Sequence, residues 1–262
     1  MIKPRIQEIL HPGCPDSIFD SMSGLPYSFF LDGRCPNGRL SEYSILGWDP
    51  FMIFRSKSRK IDMDWHDGRR ESIEADPFLL LENILSRYQA ANPGKGMPCA
   101  GGAVGYFSYD LKDFLEELPD IARDDMGIPD CVLGFYDTVV VVNHKTARSY
   151  IVSSGFPEIS AERIRCRQIE RIKEFKRAIS SRREGMPSAG GRAVSVRSNI
   201  SKAEYFKAVH RAKEYIRKGD IYQVNLSQRF SADLAIEPSV LYRRLNAVSP
   251  APFSAYLDLD DI

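Results

Sequence analysis

The chain has 262 residues, 43% of them hydrophobic and 27% charged, which is material for one large or two small folded domains and excludes a disordered chain. A formal net charge of +1 supplies no global electrostatic drive toward nucleic acid or an anionic membrane surface, so a small molecule or another protein is the expected partner. Neither a signal peptide nor a membrane span is expected, because Met1-Ile2-Lys3-Pro4-Arg5 lacks an apolar core and no long uncharged run follows.

From Pro26 to Phe54 the chain reads as short strands broken by the turn formers Gly33, Pro36-Asn37-Gly38 and Asp49-Pro50. Apolar residues at helical spacing from Pro77 to Tyr88 follow Asp76, an N-cap residue with proline at the first helical position, and this helix is expected to pack on the sheet. Val132 to Val142 is rich in valine and aromatics and is followed by Asn143-His144-Lys145-Thr146 and then Ser149 to Ser153, which reads as a hairpin of the same sheet. A long helix after Ser160 carries a narrow stripe of Ile164, Ile172, Phe175 and Ile179. Its Arg163, Arg165, Arg167, Arg171, Lys173 and Lys176 read as a solvated face, since Glu162, Glu170 and Glu174 interrupt the charge and no aromatic residues interleave with it.

Polar, glycine- and serine-rich Ser180 to Arg192 reads as a linker, which divides the chain into residues 1–180, a linker at 181–194, and 195–262. Beyond it, Ser201-Lys202-Ala203-Glu204 forms a capping box, and Phe206, Val209, Ala212 and Ile216 give the buried stripe of a helix that Gly219 ends. Ile221 to Phe230 then reads as a strand. Tyr222, Val224, Leu226 and Phe230 share one face, and Gln223, Asn225, Ser227 and Arg229 the other. Burying amides without hydrogen bonds costs on the order of 2–7 kcal/mol each, so Gln223 and Asn225 face solvent, close a structural network or line a polar cavity. Cys14, Cys35, Cys99, Cys131 and Cys166 are scattered with no Cys-x-x-Cys pair, and read as reduced cytosolic thiols; the four histidines stand apart from any metal-ligand spacing.

The run Gly219 to Phe230 resembles the entry to the chorismate-binding domain of the component I subunits of aminodeoxychorismate synthase and anthranilate synthase. Further blocks agree in order and spacing: Tyr43 to Pro50; Gly101 to Asp110, with Ile128-Pro129-Asp130, Gly134-Phe135-Tyr136-Asp137 and His144; and Ala251-Pro252-Phe253-Ser254-Ala255-Tyr256-Leu257. The resemblance implies an α+β fold of orthogonally packed antiparallel β-sheets flanked by helices, with residues 1–180 as the N-terminal component I domain and 195–262 as the opening of the catalytic domain. It further implies a cytoplasmic enzyme that joins ammonia to chorismate, with ammonia supplied by a glutamine amidotransferase subunit.

In that family Mg²⁺ neutralises a substrate carboxylate, and its ligands and the general acid lie in segments beyond this chain, so no metal ligand is expected here and the chain alone is expected to be silent. Gln223 matches a position that is a lysine general base in the related water-adding enzymes; a glutamine cannot abstract a proton from water but can orient ammonia on the nucleophile side of the pocket. The resemblance also implies an L-tryptophan pocket walled by Ser41, Tyr43 and Ser44 on one side and Pro252, Phe253 and Ser254 on the other, with Asp32 where a serine is usual. The Ala251-Pro252-Phe253-Ser254 stretch favours aminodeoxychorismate synthase component I, and anthranilate synthase component I is the alternative. A reading from another class is a non-catalytic truncated protein that binds the amidotransferase or an aromatic amino acid.

Overall fold

The computed structural model describes residues 1–9, 15–34, 42–94, 96–119, 121, 123–181, 195–234 and 236–260. It divides into two compact units, residues 1–185 with 242–262, and residues 186–241. The first unit begins with β1 (Arg5–Ile9), α1 (Pro15–Met22), β2 (Phe29–Asp32), β3 (Tyr43–Gly47), β4 (Met52–Lys57), β5 (Lys60–Trp65), β6 (Arg70–Glu74) and α2 (Pro77–Arg87). It continues through β7 (Gly102–Phe107), a 3-10 helix at Tyr109–Phe114, β8 (Cys131–Tyr136), β9 (Thr138–Asn143), β10 (Arg148–Ser153) and α3 (Ala161–Ser180). The second unit holds β11 (Arg197–Ser198), α4 (Lys202–Lys218) and β12 (Phe230–Ser231). The chain then enters α5 (Pro238–Val248), which belongs to the first unit from Tyr242 onward, and ends in β13 (Ser254–Leu257).

Two antiparallel sheets with helices against them make the first unit, as the resemblance implies. One has six strands in the order β1-β10-β9-β3-β2-β13, the other five in the order β6-β5-β4-β8-β7. Side-chain alternation sends Phe30, Leu46, Val140 and Val142 to one face of the six-stranded sheet, where Ile18, Phe19 and Met22 of α1 and Ile172 and Phe175 of α3 cover them. Phe29, Val139, Val141 and Val152 point the opposite way and pack with Tyr136 and Ala100. Helix α2 starts as its sequence requires, with the Asp76 side chain accepting from the Phe78 and Leu79 amides. Its Leu81 and Ile84 pack on Phe54, Ile61, Leu133 and Phe135 of the five-stranded sheet. Each such fully buried side chain contributes on the order of 1.5–3 kcal/mol.

The valine-rich run is not one strand of a single hairpin. It breaks at Asp137, so that β8 belongs to the five-stranded sheet and β9 to the six-stranded one, and only β9 forms the expected hairpin with β10. Every residue of β8 and β9 is buried, which erases the alternation that would have marked two elements. The fully buried Asp137 carboxylate needs cations, and α3 supplies them: Arg167 Nε donates at 2.8 Å and Arg171 Nε at 3.3 Å. Arg171 is therefore 7% exposed and not part of a solvated basic face.

In the second unit α4 has the expected capping box between Ser201 and Glu204 and the left-handed Gly219 at its end, φ 79°. Two expectations fail there. No residue of α4 is buried, with Phe206 and Ile216 about half exposed. The segment 221–229 forms no strand, and the ladder begins at β12, which meets β11 through Arg197↔Ser231 and Ser198↔Phe230. A strand exists through the neighbour that takes its amides and carbonyls, and among the described residues 221–228 have no ladder partner, while Arg229 bonds to Asn199 through its carbonyl and its amide. The linker expected at 181–194 falls, except for Ser181, outside the described residues. Among the described residues no helix is long and apolar enough to cross a membrane.

Candidate functional site

The polar cluster with the most elements converging on it surrounds Asp32, the last residue of β2. Alternation puts Asp32 on the same side of the sheet as Phe30, toward α1, and leaves it 2% exposed. Antiparallel register sets Ser254 of β13 opposite it, and β3 brings Ser44 beside it, with Ser44 Oγ donating to Asp32 Oδ1 at 3.2 Å. The turn after β2 folds Arg34 back over the carboxylate: its amide donates to Oδ1 at 3.0 Å, its Nε reaches both oxygens at 2.9 and 3.0 Å, and Nη2 reaches Oδ2 at 2.6 Å. Asn246 of α5 adds a bond from Nδ2 to Oδ2 at 3.1 Å. Arg34 also holds Asp16 of α1, through Nη2 at 2.8 Å and through Nη1.

His144, just past β9, completes the cluster with Nε2 2.8 Å from Ser44 Oγ. Ser44 has one proton and gives it to Asp32, so His144 Nε2 must carry the hydrogen in that contact, which fixes the neutral imidazole as the Nε2–H tautomer. Burial pushes the Asp32 carboxyl up, but the hydrogen bonds and charge of Arg34 outweigh it and hold the group below its ordinary value. For His144 burial dominates over the attraction of Asp32, and its pKa lies below the usual 6.5. Burial and the Asp32 charge both push Tyr242 up, and its buried hydroxyl has no hydrogen-bond partner.

The sequence-predicted residues are partly brought together. Asp32, Ser44 and Ser254 meet as described. Tyr43 lies on the opposite face of β3 and packs with the Phe29–Val141 cluster. Pro252 and Phe253 are exposed in the turn before β13, with Phe253 at φ 62°. Ser41 lies outside the described residues, and Gln223 is exposed in the 221–229 segment, which forms no strand. Elsewhere in the first unit, a cavity of about 390 Å³ between α2 and β7 is lined by Phe51, Tyr88, Cys99, Gly101 and Phe156 and by no charged side chain among the described residues. Among the described residues no group of three or more His, Cys, Asp or Glu side chains is placed to hold a metal ion.

The family described as chorismate binding enzyme matches residues 28–262. The chain belongs to the chorismate-binding enzyme family. It is 33% identical over 252 residues to anthranilate synthase component 1 of Acetivibrio thermocellus, covering 93% of this chain and 51% of that protein. It is 35% identical to anthranilate synthase component 1 of Thermus thermophilus, covering 90% and 49%, and 27% identical to aminodeoxychorismate synthase component 1 of Escherichia coli, covering 92% and 50%. Its fold is that of the crystal structure of anthranilate synthase component I from Streptococcus pneumoniae, with a TM-score of 0.63 at 24% identity over 83% of this chain and 47% of that one. The chain thus spans about half the length of the relatives it matches.

The fold places four residues at Asp32 that the sequence reading did not: Arg34, His144, Tyr242 and Asn246. Arg34 carried a local signal, an acid and a base flanking the turn glycine Gly33. Asn246 and Tyr242 carried none, because α5 is 214 positions away from β2 and only folding brings them together.

Proposed function

We propose that this chain forms the N-terminal part of a cytoplasmic enzyme that joins ammonia to chorismate, giving 4-amino-4-deoxychorismate, with ammonia from a glutamine amidotransferase subunit. The supporting observation is the family match over residues 28–262, joined to an Ala251-Pro252-Phe253-Ser254 turn of the aminodeoxychorismate type. A specific observation favours a second product: the relatives at 33% and 35% identity are both anthranilate synthase component 1. The test is to incubate the polypeptide encoded at the native locus with chorismate, ammonium and Mg²⁺ and separate the products. 4-Amino-4-deoxychorismate supports the first reading and fluorescent anthranilate the second. No turnover, with tight binding of the amidotransferase, supports a non-catalytic binding protein.

Gln223 is proposed to orient ammonia once its segment is paired within a complete catalytic domain, since an amide can donate and accept hydrogen bonds without taking a proton. Unchanged turnover and unchanged chorismate affinity in Gln223→Ala would remove it from the site. Asp32, Ser44 and Ser254 are proposed as the centre of a pocket for L-tryptophan, to whose walls the resemblance adds Ser41, Tyr43, Pro252 and Phe253.

A further inference from the structure

We infer that Arg34 is a built-in competitor for this pocket: its guanidinium fills the Asp32 carboxylate, and an aromatic α-amino acid binds there only by displacing it. The inference rests on the amino-acid pocket proposed above and adds what controls it. An ionised carboxylate offers about four lone-pair positions. Asp32 already receives the Arg34 amide, Nε and Nη2, the Ser44 hydroxyl and the Asn246 amide, so no acceptor position is left for an incoming ammonium.

The surroundings give the ligand class. The Arg34 guanidinium carbon lies 5.8 Å from the centroid of the Phe30 ring, a cation over an aromatic face. Phe30 belongs to a cluster with Phe19, Tyr242 and Tyr256 whose ring centroids are 5.0 to 5.9 Å apart. The buried, unpartnered Tyr242 hydroxyl adds a polar position near enough to Asp32 to feel its charge. A positive group bound to a buried carboxylate, set against aromatic rings, is the arrangement an aromatic amino acid would make, and Arg34 makes it from within the chain. Asp16 holds the guanidinium from its far side, so displacement breaks two carboxylate contacts and not one.

A ligand that binds only the minor, Arg34-displaced state has its affinity reduced by that state's fraction. Calorimetric titration of the whole chain with L-tryptophan tests this. Arg34→Met is expected to bind at least about tenfold more tightly than the unsubstituted chain, and Asp32→Asn combined with Arg34→Met is expected to lose that gain. Should Arg34→Met melt without a cooperative transition, Arg34→Lys, which keeps the charge and loses the fork, is expected to give a smaller gain of the same sign. Equal or weaker binding in the substituted chain, or a gain that survives Asp32→Asn, overturns the role of Arg34 while leaving the pocket. No binding in any variant overturns both, and neither result bears on chorismate turnover.

Discussion

Arg171 and Asp137 are a buried ion pair at the point where the chain leaves one sheet for the other. The guanidinium, 7% exposed, donates from Nε to Asp137 at 3.3 Å and from Nη1 to Asp49 at 2.6 Å, while Nη2 reaches the Asp49 carbonyl at 2.9 Å. One side chain on α3 thereby holds both the crossing between β8 and β9 and the turn before β4.

Removing one partner of such a pair leaves a charge buried with too few donors. Arg171→Met is expected to destabilise the first unit by about 3 kcal/mol, read as a fall in the urea midpoint at unchanged slope. Asp137→Asn in the Arg171→Met background is expected to cost less than in the unsubstituted chain, because that carboxylate then has Arg167 alone to lose. Additive losses would mean the two residues do not act as a pair.

The depressed pKa of His144 makes stability depend on pH in a defined direction. The unfolded chain takes up a proton near the usual 6.5 and the folded chain only below it. Over that window the unfolded state binds more protons, so stability is full above 6.5 and declines as pH falls toward the lower folded value. Facing the ring are Asp32, which favours protonation, and Arg34, which opposes it. Urea midpoints at pH 7.5 and 5.5 check this, and His144→Gln, which keeps a donor for Ser44, is expected to shrink the difference. An equal drop in that variant would assign the pH dependence elsewhere.

Gly105 sits where β7 and β8 lie too close for any side chain: a Cβ there would stand 1.8 Å from the Val132 carbonyl oxygen. Backbone cannot swing aside as a side-chain tip can, so Gly105→Ala must spread the two strands. A loss of at least about 2 kcal/mol is expected, measured by denaturant unfolding.

Hydrogen exchange should separate the two units sharply. Amides in 221–228, which lack strand pairing, are expected to exchange at nearly unprotected rates under conditions where those of Val139 to Val142, fully buried between β3 and β10, stay protected. Slow exchange across 221–228 would show a pairing partner for that segment.

Local chemistry made some elements readable and left others hidden. Asp76-Pro77, Ser160, Ser201 with Glu204, and Gly219 all mark helix ends through bonds to nearby backbone, and each end lies where its residue placed it. Asp137 and Arg171 were not readable, because a buried acid within a valine run and a buried arginine on a charged helix acquire meaning only from each other across 34 positions. Similarly, the alternation from Tyr222 to Phe230 signals a strand, yet a strand needs a neighbour, and pattern carries no information on whether one is there. At Asp32 the strand-borne Ser44 and Ser254 were legible through the family blocks. Arg34 and Asn246, which saturate the carboxylate, belong to none of the matched blocks.

The place of β13 at the edge of the six-stranded sheet has a consequence for how the chain is made. Its partner β2 is made long before the residues that cover it, Ser254 to Leu257. Until then Phe29 and Phe30 stand on an open sheet edge, a template for wrong pairing between nascent chains. Closure of so distant a contact is slow. The six-stranded sheet is thus complete only once β13 has been made, and until then β2 is its open edge.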